Sequence, residues 1–366
     1  MNILLFAIIL AVLILVHEFG HFIVAKKSGI RVDEFGIGFP PKLYGKKYGE
    51  TEYTVNAVPF GGFVRIFGEN PDEESTNGPG SERSFVNKSK LTQIAVLSAG
   101  VFFNLLFAWF LITTGFLIGL PSSASDQLSA GNVSNAALTV VEVVKGTPAQ
   151  TAGIQTGDKI LSVSYEKETV VNATPEAFQE FVNAHGSKEI SVLLRRGNEE
   201  RTVAMTPKEG IIKGKYAIGI AMDMVGVMKL PFHKAVYEGG KLTLVYTGET
   251  FKGLYHLLTA AFRGKADMSS VSGPVGIVKI VGDASQLGLT YLISLTALIS
   301  INLAVINILP IPALDGGRVF FILIEVVKRS PIKAQTANLA HSIGFIILIG
   351  LIMIITFHDV WKLFVN

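Results

Sequence analysis

No cysteine occurs anywhere in the 366 residues. Disulfides, iron–sulfur clusters and thiolate metal sites are thereby excluded, so any bound metal must rest on His, Asp or Glu. Charge is scarce as well: 17% of residues are charged, and 32 basic against 29 acidic side chains leave a formal net charge of only +3. That is no polycation, which excludes a nucleic-acid binder. Internal repeats are missing too. What fills the chain instead is apolar: 49% of residues are hydrophobic and the mean hydropathy is +0.46, too high for an ordinary water-soluble domain. The composition implies an integral membrane protein.

The first apolar run, 3–16, has no basic stretch before it and no small-residue cleavage site after it, so it reads as a retained transmembrane helix rather than a signal peptide. Four segments, 3–25, 94–120, 288–309 and 341–361, are long enough for a hydrocarbon core of about 30 Å, which takes about 20 helical residues. Lysines and arginines crowd the loop 26–90 (Lys26, Lys27, Arg31, Lys42, Lys46, Lys47, Arg65, Arg83, Lys88, Lys90) and recur after the third span at Arg318, Lys328, Arg329 and Lys333. The positive-inside rule then places both loops in the cytoplasm, with the two termini and the region 121–287 outside.

Within the first loop, 52–58 and 62–67 alternate in strand fashion between the Gly/Pro clusters of FGIGFPP and VPFGG, predicting a small sheet at the membrane surface. Residues 70–84 (NPDEESTNGPGSERS) have the composition of a flexible loop. Outside, 136–208 carries a soluble-domain pattern: strand-like LTVVEVV, a turn-rich GTPAQTAGIQTGD, and a helix at PEAFQEFVNAH that starts with Thr174 and has Pro175 in its first turn. The run 146–158, with Pro148, Ala149, Ala152, Gly153 and Gly157, resembles the PDZ domains of bacterial membrane and periplasmic proteases. The region 209–287 reads as an amphipathic connector, with an interfacial helix over 232–262, where charges recur too often for a fifth span.

The chemistry sits in the first span, as His17-Glu18-Phe19-Gly20-His21. On a helix, positions i and i+4 share a face about 6 Å apart along the axis, so both imidazoles can reach one zinc. Glu18 projects beside them, placed to take a proton from an attacking water. Two His and a Glu inside a membrane helix are costly unless paired or metal-bound, which marks the cluster as functional; a buried His–Glu brace between helices is the bland alternative. A catalytic zinc usually has three protein ligands. Asp315 stands out as the third, because it ends the apolar stretch NILPIPALDGG, where Pro310 and Pro312 interrupt the helix and Gly316-Gly317 permit close backbone approach. Irregular backbone at membrane depth is tolerated where it lines a cavity. Asp315 could also cap the helix 316–328.

Taken together, HEFGH, FGIGF, VPFGGFVRIFGE, Gly100-x-x-x-Asn104, SGPVGI at 272–277 and NILPIPALDGG resemble the site-2 protease family of intramembrane metalloproteases. The likeness is specifically to its bacterial RseP/RasP type, regulators of the envelope stress response. The resemblance implies zinc held by His17, His21 and Asp315, Glu18 as general base, and Asn307 at the substrate or its oxyanion. It also implies an edge strand, with Gly62, Phe63, Val64 and Arg65, that pairs with an extended substrate. The substrates it implies are transmembrane proteins, such as anti-sigma factors or remnant signal peptides, cut in a bacterial inner membrane, with an extracytoplasmic peptide as ligand of the PDZ domain. The expected fold is an α-helical core of four transmembrane helices with a cytoplasmic-side membrane-associated β-sheet and one extracytoplasmic PDZ domain. Its expected division is 1–120, 136–208, 209–287 and 288–366. Two features depart from the family pattern: one PDZ domain is found where well-known members have two, and Pro40 stands where many relatives have glycine. A non-catalytic PDZ adaptor would need neither HExxH nor Asp315, and a metal transporter would carry inverted repeats.

Overall fold

Helix α1 (Asn2–Lys27) is unbroken because its first 16 residues hold neither Gly nor Pro, and it ends on the basic pair Lys26-Lys27. Gly29, at φ +67°, terminates it in a Schellman turn, with Ile30 N–H donating to Ala25 O (3.0 Å) and Gly29 N–H to Lys26 O (3.1 Å). The computed structural model describes residues 2–123, 134–197, 199–212, 214–264, 272–330, 332 and 334–365; Lys333, counted above among the basic residues, lies outside them.

Strands β1 (Val32–Tyr48) and β2 (Thr51–Ile66) fold into one small sheet. Residues 34–37 are paired on both sides, with 62–65 antiparallel on one and 52–55 on the other, while 42–48 runs antiparallel to 51–56. The stretch 62–65 therefore has one strand neighbour and an open edge among the described residues. Residues 70–84, read from composition as a flexible loop, instead carry α2 (Glu73–Asn77) and a short 3₁₀ turn (Ser81–Arg83), with a second 3₁₀ turn (Phe85–Asn87) directly after them. Local polar chemistry explains it: Asp72 and Ser75 form a reciprocal capping box, and the Asn87 amide donates to Thr76 O (3.0 Å) and Ser81 O (2.9 Å). Helix α3 (Lys90–Ile118) follows.

The chain divides into two units: Met1–Ile112, Gly239–Ala284 and Ile293–Asn366 form the first, and Thr113–Glu238 with Ser285–Leu292 the second. The second unit holds β3 (Leu120–Ser123), β4 (Ser134–Val143), α4 (Pro148–Thr151), β5 (Lys159–Tyr165), β6 (Glu168–Val171), α5 (Pro175–Ala184), β7 (Ile190–Arg196), β8 (Glu199–Met205), β9 (Lys208–Ile212), β10 (Lys215–Ala217) and β11 (Ile220–Met228). Seven strands make one sheet in the order β3-β11-β4-β5-β7-β8, with β6 on β5. Alternate residues of β4, β5 and β7, among them Val140, Val163, Ile190 and Val192, bury against Phe178 and Val182 of α5. Thr174 caps α5 by accepting from Ala177 N–H (3.2 Å), as its sequence implied. The turn 146–158 is locked by buried Asp158, which receives Arg196 Nε (2.7 Å) and Gln155 N–H (2.9 Å). Strand pairing continues past 208: β9 and β10 form a two-stranded sheet of their own, and residues 220–227 of β11 pair with β4, so 220–228 belongs to the seven-stranded sheet rather than to an amphipathic connector.

Among the described residues, five helices follow: α6 (Phe232–Phe262), α7 (Pro274–Leu287), α8 (Leu289–Asn307), α9 (Asp315–Lys328) and α10 (Ala334–Val365). Four helical stretches among the described residues are long and apolar enough to cross a membrane: Asn2–Lys27, Lys90–Ile118, Leu289–Asn307 and Gln335–Trp361. They fall where hydropathy placed them.

Candidate active site

His17 and His21 lie one turn apart on α1, both buried, on the face that meets α3. The crossing is close because both helices carry glycine there. A Cβ on Gly20 would stand 2.6 Å from Ala99 O, and one on Gly100 would stand 2.4 Å from His21 Nε2. Asp315 arrives from the other end of the chain. After Asn307 ends α8, Pro310 and Pro312 prevent the helix from continuing, and Ala313 turns the backbone at φ +83°. Its freed N–H donates to Nδ1 of His341 on α10 (2.9 Å), which satisfies the irregular backbone from within the protein. Gly316 and Gly317 allow α9 to start against that turn, since a Cβ at either would stand 2.2 Å from the carbonyls of Ile308 and Ile311 respectively. Asp315 is the first residue of α9, and the cap position belongs to Leu314, so the capping role considered for Asp315 is not realised. Lys90 Nζ on Glu325 (2.6 Å) and an Arg318–Glu69 ion pair tether α9 to the start of α3 and the end of the sheet segment.

Three ligand atoms converge. His17 Nε2 lies 3.1 Å from His21 Nε2 and 2.9 Å from Asp315 Oδ2, and His21 Nε2 lies 3.4 Å from the same oxygen. Tetrahedral zinc with bonds of about 2.0–2.1 Å has ligand atoms about 3.3 Å apart, so this triangle has the size of one face of a zinc site. The donor set, two imidazoles and a carboxylate, is also one that zinc takes. Among the described residues these three are the cluster of metal-ligating side chains whose atoms lie within 4.8 Å of one another. On the far side of its ring, His21 Nδ1 meets Val96 O (2.8 Å), and His17 Nδ1 meets the Asn104 side chain (3.3 Å).

A cavity of about 220 Å³ opens on this triangle, bordered by Ile14, His17, Glu18, Asn104, Asn307 and Asp315 among others. All five polar residues picked from sequence for metal and catalysis are thus brought together. Gly62, Phe63, Val64 and Arg65 are not on the cavity wall. They form the open-edged segment of the sheet, where a Cβ on adjacent Gly61 would stand 3.0 Å from Ile14, the residue one turn before His17. Phe63 lies across Gly36, which has no side chain to obstruct it, and Arg65 points outward to Glu34 (3.3 Å). Sequence reasoning assigned no role to Gly100 and Asn104; their spacing of four on the second span is the signal, since it sets both on the face that meets His17.

The chain as a whole is similar to known proteins. The model of peptidase family M50 matches residues 5–351. The chain is 36% identical over 350 residues to a Clostridium perfringens protein named "Putative zinc metalloprotease", covering 95% of each. It is 32% identical over 370 residues, 100% of each chain, to a Fusobacterium nucleatum protein of the same name. To the "Zinc metalloprotease RasP" of Geobacillus kaustophilus it is 29% identical over 431 residues, covering 99% of this chain and 98% of that one. The chain belongs to peptidase family M50, the site-2 proteases, and is a multi-pass intramembrane zinc metalloprotease of the RasP type.

Proposed function

We propose that His17, His21 and Asp315 hold the zinc of this protease, that Glu18 is its general base, and that Asn307 serves the oxyanion. The observation that carries this reading is the triangle of ligand atoms at 2.9, 3.1 and 3.4 Å, opening on a cavity that Glu18 and Asn307 also border. Bound zinc supplies a Lewis acid that polarises the scissile carbonyl and acidifies water at neutral pH. Glu18 accepts the proton of the attacking water and returns it to the leaving amine. The Asn307 amide donates to the carbonyl oxygen as it gains negative charge. Helix α1 is apolar on both sides of the motif, and the low dielectric of that surround strengthens each of these interactions.

A helical substrate hides its carbonyls and must become extended to be cut. The open edge at 62–65 offers unpaired backbone groups for an added strand, with Gly62, Phe63, Val64 and Arg65 as the pairing residues. The second unit is read as a PDZ domain built on 136–208 and completed by β11, facing the extracytoplasmic side and taking an exposed peptide end as ligand. The basic loops at 26–90 and after Arg318 face the cytoplasm, in a bacterial inner membrane. Substrates are transmembrane proteins processed by regulated intramembrane proteolysis, anti-sigma factors or remnant signal peptides among them.

Zinc content and cleavage of a model transmembrane substrate test the assignment. Glu18→Gln retains about one zinc and loses turnover, because glutamine is nearly isosteric yet takes up no proton. Asp315→Ala loses zinc. Full zinc occupancy in Asp315→Ala, or turnover in Glu18→Gln, would remove that residue from its role.

A further inference from the structure

The outer nitrogens of the two histidines are served differently. His21 Nδ1 faces a backbone carbonyl, Val96 O, at 2.8 Å, which accepts hydrogen bonds and donates none. That contact puts the ring proton on Nδ1 and leaves Nε2 with its lone pair aimed at the ligand triangle. His17 presents Nε2 to the same triangle, so a neutral His17 ring must likewise carry its proton on Nδ1 and needs an acceptor there. What stands 3.3 Å away, as placed, is Nδ2 of Asn104, a donor. Two donors would face each other.

Asn104 is fully buried, and its Oδ1 has no hydrogen-bond partner. The amide's oxygen and nitrogen are nearly equal in shape, so a half-turn of the group exchanges them without repacking. No hydrogen bond anchors Oδ1 in its present position. The backbone is fixed independently, since Ser300 Oγ on α8 donates to Asn104 O at 2.8 Å. The turn costs nothing that holds the residue and converts an opposed pair into a hydrogen bond.

We propose that Asn104 is a positioning residue for the metal centre: its side-chain carbonyl accepts the Nδ1–H of His17 and so fixes the tautomer in which Nε2 is free to bind zinc. The proposal rests on the reading that His17 is a zinc ligand. On this account α3 supplies both outer partners, Val96 O to His21 and Asn104 Oδ1 to His17, eight residues apart on one face.

The test measures zinc affinity of the detergent-solubilised full-length protein by competition with a chelator, alongside the thermal midpoint. Asn104→Leu keeps the volume and removes the acceptor, and should weaken zinc by about 10–100-fold, the usual effect of losing an outer partner of a ligating histidine. Asn104→Asp keeps an oxygen acceptor and has no N–H, so it should hold zinc within a few-fold of wild type. If the amide instead donates as placed, Asn104→Asp loses zinc as severely as Asn104→Leu, and the proposal is overturned. It is overturned equally if Asn104→Leu folds and binds zinc like wild type; should that variant fail to fold, the aspartate arm decides alone. His17→Ala in the same assay separates the two levels. Zinc lost there but kept in Asn104→Leu removes only the role of Asn104, whereas undiminished zinc in His17→Ala removes the ligand assignment and this proposal with it.

Discussion

Replacing Gly100 with alanine puts one methyl group where the structure has no room for it. The added Cβ would stand 2.4 Å from His21 Nε2, 2.6 Å from His17 Cε1 and 2.7 Å from His17 Nε2. Carbon and nitrogen in ordinary contact are about 3.5 Å apart, so each ring must retreat by about 1 Å. Neither has space to do so. Both imidazoles are buried, His21 is bonded to Val96 O on the same helix as the new methyl, and Gly20 against Ala99 O already brings the helices as close as backbone allows. Overpacking of this kind costs about 1–3 kcal/mol of stability, and a 1 Å displacement of a reacting group can cost about 10²-fold in rate. Gly100→Ala should therefore lose zinc and at least ~100-fold of its cleavage of a transmembrane substrate, with only a modest fall in thermal midpoint. Gly253→Ala is the control: it lies in α6 with nothing within 4 Å of the added Cβ, and alanine in a helix is favoured over glycine by about 1 kcal/mol. Emission spectroscopy of the purified protein gives the metal, and a peptide assay in detergent gives the rate. A Gly100→Ala protein with a full zinc complement and wild-type turnover would refute the close α1–α3 crossing on which this rests.

Asn307→Ala should lower kcat by about 10²–10³-fold with zinc retained, the effect of losing one oxyanion donor; an unchanged kcat would leave Asn307 as a packing residue at the end of α8. Glu50 is held well below its usual range, at about 2, first by its hydrogen bonds from Arg83 and then by those from Lys26. A depressed carboxylate pKa stabilises the fold fully above its ordinary value of 4.5 and loses that contribution as pH falls toward 2, so thermal midpoints of wild type should drop across this window more than those of Glu50→Gln. Parallel melting curves for the two would dismiss the clamp between α1, the sheet and the 3₁₀ turn. Removal of the β-rich unit should leave cleavage of a trimmed transmembrane substrate largely intact while admitting untrimmed ones, because every proposed catalytic group comes from α1, α8 and α9. The cut belongs at 120–228 rather than at 136–208, since the shorter deletion would strip β11 of its partner β4. Equal loss of activity on trimmed and untrimmed substrate would show that the unit braces the helices instead of filtering substrates.

The four spans were legible because their signal is long and uniform: eighteen or more apolar residues have few other interpretations. The short helical turns at 73–87 were not. Their residues (Asp, Glu, Ser, Asn, Gly) are those of disordered linkers, and order comes from bonds that composition does not record, such as the Asp72–Ser75 box and the reach of Asn87 across to Thr76 and Ser81. The extension of the β-rich unit to β11 was hidden for a related reason. IAMDMVGVM is a strand by its β-branched and alternating residues, but nothing local says that its partner is β4, some eighty residues earlier.

At the site, the parts legible in advance were those whose chemistry is expensive in a membrane. Two histidines and a glutamate in an apolar helix demand a reason, and Asp315 after a run of apolar residues and prolines demands the same one. Gly100 and Asn104 cost nothing where they are. A glycine in a membrane helix is common, and one asparagine can be satisfied in many ways, so their meaning is relational: it exists only once α1 is laid against α3 and the methyl that Gly100 lacks is seen to be the space His17 and His21 occupy. The same holds for Gly316 and Gly317, which matter because two carbonyls of the preceding turn lie 2.2 Å from where their side chains would begin. Ligands announce themselves by their own free energy, whereas the residues that let ligands approach one another are recognisable only from what they leave room for. A reading of a membrane metal site from sequence therefore improves less by searching for further His, Asp or Glu than by asking, for each ligand helix, which glycine on a neighbouring helix permits the crossing.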